Sequence, residues 1–295
     1  MLSTVALCDR DRFRDRTVHV PDEASSWKSS EPFGDAEIAE VLASGIAANQ
    51  PTVLDFEAKN YSDDLVPATQ LDLPHVAPGR YDERGRGRQQ LYTWFPENRR
   101  QIELHVTGGL IKHYRDRGNV KFSLYSPNEA TLDAVDHDDS VPPDGAQRRI
   151  VLTSPYSGLH RLEWTDGSDM TGVVLPADLP LTIRSTLEDP MRLGGRWDLY
   201  FYVPRGTKVV GGYTDSTRGS MLDGDNKVMF DFSTMEATGY FSVAVPEGQD
   251  GTLWKFSDSR GSRSLMTVPP YLATSVETLL LPREVVESEK RQVPR

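Results

Sequence analysis

The chain has 295 residues, of which 37% are hydrophobic, and its 33 basic and 44 acidic side chains give a formal net charge of −11. This length is sufficient for two domains that each bury a core. The negative charge argues against nucleic acids and anionic membrane surfaces as partners, because both attract basic proteins. No apolar run is long enough to span a bilayer. The single cysteine, Cys8, excludes an intramolecular disulfide and a cysteine-rich zinc site.

The first 88 residues are predicted to form a mixed segment with one helix. The apolar stretch Met1–Cys8 is too short for a signal peptide, so the sequence fits either a cytoplasmic protein or a piece of a longer exported chain. Asp35 is a good N-cap, and the apolar residues after it recur at helical spacing, which predicts a helix over about 35–46. The arginine- and glycine-rich stretch 80–88 is predicted to be a polar linker or an exposed loop.

From residue 89 onward, alternation of apolar and polar side chains predicts β-strands almost throughout. The clearest predicted strands are 102–106, 120–125, 197–203, 208–213, 228–232, 240–245 and 252–256. The stretch 128–145 is predicted to be a loop, a short final helix is predicted to begin at Ser275, and 284–295 is predicted to be a charged tail. Strands at this spacing, with no helices between them, are typical of antiparallel sandwiches rather than βαβ units.

One strand-like segment recurs about a hundred residues later in the chain. The sequence LYTWFP at 91–96 resembles LYFYVP at 199–204, an offset of 199 − 91 = 108. Downstream, 150–155 resembles 241–246, and an aromatic strand follows each of them. A repeat of this size is that of a domain. We therefore expect a mainly β protein with two tandem antiparallel β-sandwich, jelly-roll-like domains at 89–180 and 181–283.

The repeat carries two matching sets of aromatic residues. Tyr92 and Trp94 share one face of the first strand, and Tyr200 and Tyr202 share one face of its equivalent. Exposed rows of such rings stack against pyranose rings, so these four residues are candidate ligand-binding residues. The alternative is that they pack in a core or against a neighbouring domain.

No short catalytic motif is present in the sequence, neither a nucleophile elbow, an HExxH zinc motif, a P-loop nor a dinucleotide-binding fingerprint. A tyrosine and a histidine could serve as base and acid of a β-sandwich lyase, with an arginine neutralising the uronate carboxylate. His105, His113 and Tyr114 are the candidate catalytic residues for that reaction. The alternative is that these histidines lie on the polar face of a sandwich and have no catalytic role.

The predicted loop at 128–145 is rich in aspartate. Asp136, Asp138 and Asp139 are candidate ligands for Ca²⁺, which prefers six to eight oxygen ligands. The alternative is a solvated loop. The stretch 223–226 also begins like a calcium loop, but Lys227 interrupts the series, and a hairpin turn explains it more simply. Apart from this possible Ca²⁺, we expect no cofactor.

Several strand-and-turn phrases, at 202–207, 241–248 and 268–272, resemble the bacterial pre-peptidase C-terminal type and related jelly-roll accessory modules of secreted carbohydrate-active proteins. The resemblance extends over about 90–280 and carries no catalytic residues. It implies a non-catalytic module that binds polysaccharide or braces a partner catalytic domain. The alternative function is a β-sandwich polysaccharide lyase or glycoside hydrolase.

Overall fold

A computed structural model describes residues 54, 56–81, 84–127 and 133–292. The helix expected at 35–46 lies outside these residues. The described residues from Leu54 onward form one compact unit. No helix within the described ranges is long and apolar enough to cross a membrane.

The described chain is mainly β, and every strand ladder in it is antiparallel. The strands are β1 (Leu65–Pro67), β2 (Arg84–Phe95), β3 (Gln101–Thr107), β4 (Val120–Tyr125), β5 (Asp136–Val141), β6 (Gln147–Thr153), β7 (Gly158–Val174), β8 (Leu181–Arg184), β9 (Trp197–Val203), β10 (Val209–Thr214), β11 (Ser220–Leu222), β12 (Val228–Asp231), β13 (Gly239–Ala244), β14 (Thr252–Ser259), β15 (Arg263–Leu265), β16 (Tyr271–Leu272) and β17 (Leu280–Pro282). Short 3-10 helices occupy Ala68–Gln70, Lys112–Arg117 and Phe232–Thr234, and one α-helix, α1, occupies Arg283–Gln292. The predicted fold class is confirmed.

The order of the strands repeats along the chain. The first half contains the neighbours β5-β4-β7-β2 and β6-β3-β7, and the second half contains β12-β11-β14-β9 and β13-β10-β15. The strands that carry the sequence repeat therefore take equivalent places: β2 matches β9, β6 matches β13 and β7 matches β14. The recurring sequence thus corresponds to a recurring topology.

The two halves share one hydrophobic core. Leu91 and Phe122 from the first half belong to the same buried cluster as Phe201 and Trp254 from the second. Full burial of such a side chain contributes about 1.5–3 kcal/mol. Because the cluster is continuous, the expected arrangement of two separate domains at 89–180 and 181–283 is not confirmed.

Both faces of strand β9 are covered by other parts of the chain. Trp197, Phe201 and the other odd-numbered residues face the shared core, whereas Tyr200 and Tyr202 face the opposite side. That side is covered by β1, β17 and α1, which we call the covering layer. It contributes apolar side chains such as Leu281 and Val286 to a second buried cluster. The sequence pattern left open whether this face is exposed or covered, and the chain's own covering layer covers it.

Three local predictions were wrong. The stretch 80–88 is not a linker throughout, because β2 begins at Arg84 and pairs with β7. The loop predicted at 128–145 contains β5, which pairs with β4. The final helix begins at Arg283 rather than Ser275, and it includes most of the predicted tail. In each case tertiary pairing or packing outweighs the local composition.

Candidate functional site

The stretch 74–81, which we call the rim segment, runs beside β9. Gly79 donates its N–H to the carbonyl of Thr274 at 2.6 Å, and the carbonyl of Arg80 accepts the N–H of Asp198 at 2.7 Å. A Cβ on Gly79 would lie 2.3 Å from the carbonyl oxygen of Asp198. Only glycine allows so close an approach. The rim segment therefore packs closely against β9 and forms a wall along this part of the surface.

One end of the rim segment borders a surface depression with a volume of about 430 Å³. Its lining includes His75, Tyr200, Asp225, Asn226, Gln249 and Thr252. We call it the Tyr200 depression. It combines one aromatic ring with several planar polar side chains. That combination suits a ligand with alternating apolar and hydroxyl surfaces.

Tyr200 is held from several sides. Its backbone N–H donates to the carbonyl of Ala273 at 2.7 Å, and its ring packs at the edge of the second buried cluster. The ammonium of Lys255 lies 5.7 Å from the ring centroid. Burial, and next the charge of Asp198, raise the pKa of the Tyr200 hydroxyl. The side chain is therefore a neutral phenol and a hydrogen-bond donor at neutral pH.

The opposite wall of the depression is a tight hairpin turn between β11 and β12. The Asp223 carboxylate accepts the N–H groups of Asp225 at 3.0 Å and Lys227 at 2.9 Å, and Asn226 has a φ of 63°. This geometry is that of the predicted hairpin turn. Gln249, in the connection between β13 and β14, holds the turn in place, because its side-chain amide donates a hydrogen bond to the Asp225 carboxylate at 2.7 Å. The polar wall is therefore preorganised.

A second, apolar cavity of about 240 Å³ follows along the rim segment. Gly79 and Tyr81 line it from the rim, and Leu91, Leu175 and Leu199 line it from the sheets. Because few polar groups line it, this cavity is suited to binding an apolar group rather than to catalysis.

Two of the predicted ligand-binding residues lie inside the second buried cluster. Tyr92 is 2% exposed and Tyr202 is 1% exposed. The ring of Tyr92 meets that of Tyr271 edge to face at 6.1 Å, and burial raises the pKa of both Tyr92 and Tyr202. Neither ring offers an open face to a sugar, because the covering layer lies on it.

Trp94 and Tyr200 are only half-buried, at the edge of the same cluster. A Cβ on Gly158 would lie 3.8 Å from the indole of Trp94. Of the four predicted aromatic residues, Tyr200 is the one that lines the depression. Ligand binding by Trp94 stays a prediction.

The three candidate catalytic residues occupy two different elements. His105 lies on β3, where its Nε2 is 3.5 Å from Glu103. His113 and Tyr114 lie in the 3-10 helix Lys112–Arg117, with their rings edge to face at 5.1 Å. The guanidinium of Arg86 lies 5.2 Å from the centroid of the Tyr114 ring. The structure thus pairs His113 with Tyr114 and places His105 on a separate strand.

The candidate calcium ligands are engaged in local hydrogen bonds. Asp136 accepts the N–H of Thr153 at 2.7 Å, and Asp138 accepts the N–H of Ser140 at 3.0 Å. Asp136 and Asp138 are half-buried, whereas Asp139 is exposed. Among the residues that the structure describes, no group of three or more His, Cys, Asp or Glu is placed to hold a metal ion. The geometry therefore gives the calcium prediction no support.

Neither a protein-family model nor a curated protein matches this chain. Of the Tyr200 depression, sequence reasoning identified Tyr200 and the hairpin turn at 223–226, but it missed His75 and Gln249. These two lie far from Tyr200 along the chain, and they meet it only through the rim segment and the sheet edge.

Proposed function

We propose that the chain is a non-catalytic β-sandwich interaction module that binds polysaccharide in the Tyr200 depression. The observation that carries this proposal is the half-buried Tyr200 ring opposite a hairpin turn fixed by Asp223 and Gln249. An aromatic ring beside fixed polar groups provides both stacking and hydrogen bonding to hydroxyl groups. An accessory role of this kind requires no catalytic motif.

Replacing Tyr200 tests the proposal. Calorimetric titration with a panel of soluble polysaccharides is expected to show binding to the wild type. Tyr200→Ala is expected to weaken it about five- to thirtyfold, because a lost aromatic anchor removes about 1–2 kcal/mol. Tyr200→Phe keeps the ring and is expected to retain most of the affinity.

Tyr240→Ala is the matched control. This tyrosine is 37% exposed on β13 and packs edge to face against Tyr213, away from the depression's lining. Its removal is expected to leave binding unchanged. Wild-type binding that Tyr200→Ala does not weaken would contradict the proposal, provided that circular dichroism shows the variant to be folded.

A lyase is the second candidate function, and one contact favours it. Tyr114 and His113 touch, and the guanidinium groups of Arg86 and Arg117 lie 5.2 and 5.9 Å from the Tyr114 ring. A tyrosine base and a uronate-neutralising arginine need such proximity. Absorbance of unsaturated uronate products after incubation with uronate polymers would reveal this activity, and its loss in Tyr114→Phe would assign it.

A further inference from the structure

A second surface, at the other end of the rim segment, is lined by arginine. Two adjoining cavities of about 550 and 500 Å³ share Arg84 in their linings. The remaining arginines along them are Arg80, Arg86, Arg192 and Arg196. We call the joined cavities the arginine groove. Such a concentration of one charge stands out on a chain whose formal net charge is −11.

The fold brings these arginines together from two stretches of the chain. Arg84 and Arg86 alternate with the buried Gly85 at the start of β2, so both side chains are exposed on one face. The β8–β9 connection folds across them, because the N–H of Gly194 donates to the carbonyl of Arg84 at 3.0 Å. A Cβ on Gly194 would lie 2.9 Å from that oxygen. Glycine here allows the approach that places Arg192 and Arg196 beside β2.

Nearby carboxylates do not balance this charge. The single carboxylate of Asp258 is shared by three guanidinium groups. It lies 2.9 Å from that of Arg80, 3.3 Å from that of Arg196 and 3.9 Å from that of Arg218. Asp198 adds a longer contact of 3.8 Å to Arg80. The groove's lining, as far as the chain is described, contains one carboxylate, that of Asp215.

Two of the arginines make no ion pair with any residue that the structure describes. Arg86 donates to the carbonyl of Ser168 at 2.9 Å and lies over the Tyr114 ring, and neither group is an anion. Arg192 is exposed. Asp82 and Glu83, which precede Arg84, lie outside the described residues. We therefore base the proposal on Arg86 and Arg192 and not on Arg84.

We propose that the arginine groove binds the anionic groups, carboxylates or sulfate esters, of an acidic polysaccharide. Guanidinium groups pair with both oxyanions through two parallel hydrogen bonds. The glycines at 87 and 167 carry no side chain that would cover the backbone of the groove. The charged sugar of an extended chain takes the groove, and a neutral sugar of the same chain takes the Tyr200 depression.

The rim segment connects the two surfaces. Its first residues, 74–77, line the Tyr200 depression, Gly79 lines the apolar cavity, and Arg80 lines the groove. Tyr81 lines both the apolar cavity and the groove. An extended ligand along this segment contacts all three. A duplex nucleic acid fits less well, because its charge of one per about 1.7 Å is repelled by the rest of an acidic chain.

The double variant Arg86→Gln, Arg192→Gln tests the inference. Titration at low ionic strength uses polygalacturonate as the carboxylated probe, dextran sulfate as the sulfated probe and dextran as the neutral probe. The double variant is expected to weaken binding of at least one anionic probe about tenfold or more and to reduce its dependence on salt. The probe that binds the wild type more tightly identifies the anion.

The matched control is Arg100→Gln, Lys121→Gln, which removes the same charge from two exposed positions outside the groove. It is expected to change affinity less than about twofold. Equal binding of anionic probes by the groove variant and the wild type, or equal wild-type binding of dextran and both anionic polymers, would overturn the inference.

The choice of a polysaccharide as the ligand of the groove rests on the proposed function. A failure of the groove and a failure of the proposed function give different results. Loss of affinity in Tyr200→Ala with none in the groove variant rejects the groove and leaves the proposed function standing. Sucrose octasulfate, a small sulfated sugar, is the probe for the reverse case. Groove-dependent binding of it, with no binding of any polymer, supports the anion site and rejects the polysaccharide module.

Discussion

At the scale of single residues, the fold tolerates several buried ionisable groups because each has specific partners. Arg263 is fully buried, with its guanidinium 4.2 Å from the centroid of the Phe232 ring. It also donates to the carbonyls of Arg218 and Ser262. Burial lowers its pKa to about 10, so it remains charged at neutral pH. Such a group costs desolvation energy and is retained through its hydrogen bonds.

Asp166 on β7 is expected to make the stability depend on pH. Burial, and the nearby charge of Asp169, raise its pKa, although hydrogen bonds from Thr171 at 2.8 Å and from the N–H of Gly109 act in the opposite direction. The folded state thus holds this proton more tightly than the unfolded state. The contribution to stability is complete below the ordinary aspartate pKa of about 4, and it is lost as the pH rises through the raised value.

Asp166→Asn is expected to remove this dependence while keeping an oxygen that accepts from Thr171 and Gly109. The free energy of unfolding of the variant, minus that of the wild type, should therefore increase as the pH rises above about 4. Urea unfolding at a series of pH values measures it. Asp231→Asn is the control of opposite sign, because hydrogen bonds from Ser233 lower the pKa of this exposed carboxyl. The free energy of unfolding of that variant, minus that of the wild type, should decrease as the pH rises toward about 4 and stay constant above it. A difference for Asp166→Asn that does not vary with pH would show that the carboxyl is not perturbed.

At the scale of elements, the covering layer is fastened to the sheets by polar anchors as well as by apolar packing. The hydroxyl of Tyr271 on β16 lies 2.7 Å from the carboxylate of Asp63, just before β1. Glu289 on α1 is 4% exposed and accepts the N–H of Arg205 at 2.8 Å. These contacts fix the layer that buries Tyr92 and Tyr202.

Tyr271→Phe is expected to lower the free energy of unfolding by about 1–3 kcal/mol, because it leaves a hydrogen bond to a charged partner unmade at a buried position. Chemical denaturation monitored by fluorescence measures the change. Tyr240→Phe, on the surface of β13, is the control and should stay within about 0.5 kcal/mol of the wild type. Equal stability of Tyr271→Phe and the wild type would mean that the anchor contributes nothing.

Local patterns predicted elements well where one face of a strand is apolar. Alternation placed β3, β4 and β9 correctly, since side-chain period two directly reflects burial. It missed β5, whose residues 136–140 are all polar and which is a strand only because it pairs with β4. It also missed the start of β2, where arginine and glycine alternate. Pairing energy between distant segments is not visible in local composition.

The candidate site was predictable only in part for the same reason. Tyr200 was identified by its strand pattern, and the turn at 223–226 by its Asp, Gly and Asn content. The pattern could not separate Tyr200 from the buried Tyr202, because the difference depends on where α1 and β17 lie. The arginine groove was not predicted, because Arg80, Arg84 and Arg86 lie in a stretch that resembles a linker and Arg192 and Arg196 lie far from them along the chain.

At the scale of the whole molecule, a doubled topology encloses a single core. Strands β2 and β9 take equivalent places in the two halves, but the segments around them differ. On β9 the rim segment and the β11–β12 turn leave Tyr200 accessible, whereas its counterpart on β2, Tyr92, is buried. The repeat therefore sets the architecture, and we expect the segments added to it to form the binding surface.

Hydrogen–deuterium exchange, with and without the acidic polysaccharide that binds most tightly, shows directly where the ligand lies. Added protection is expected in the rim segment 74–81, in 84–87 and in the β8–β9 connection at 192–196. The 3-10 helix Lys112–Arg117 and strand β5 should exchange as they do without ligand. Protection confined to those two elements, or exchange unchanged in the rim segment at saturating ligand, would contradict polysaccharide binding along this surface.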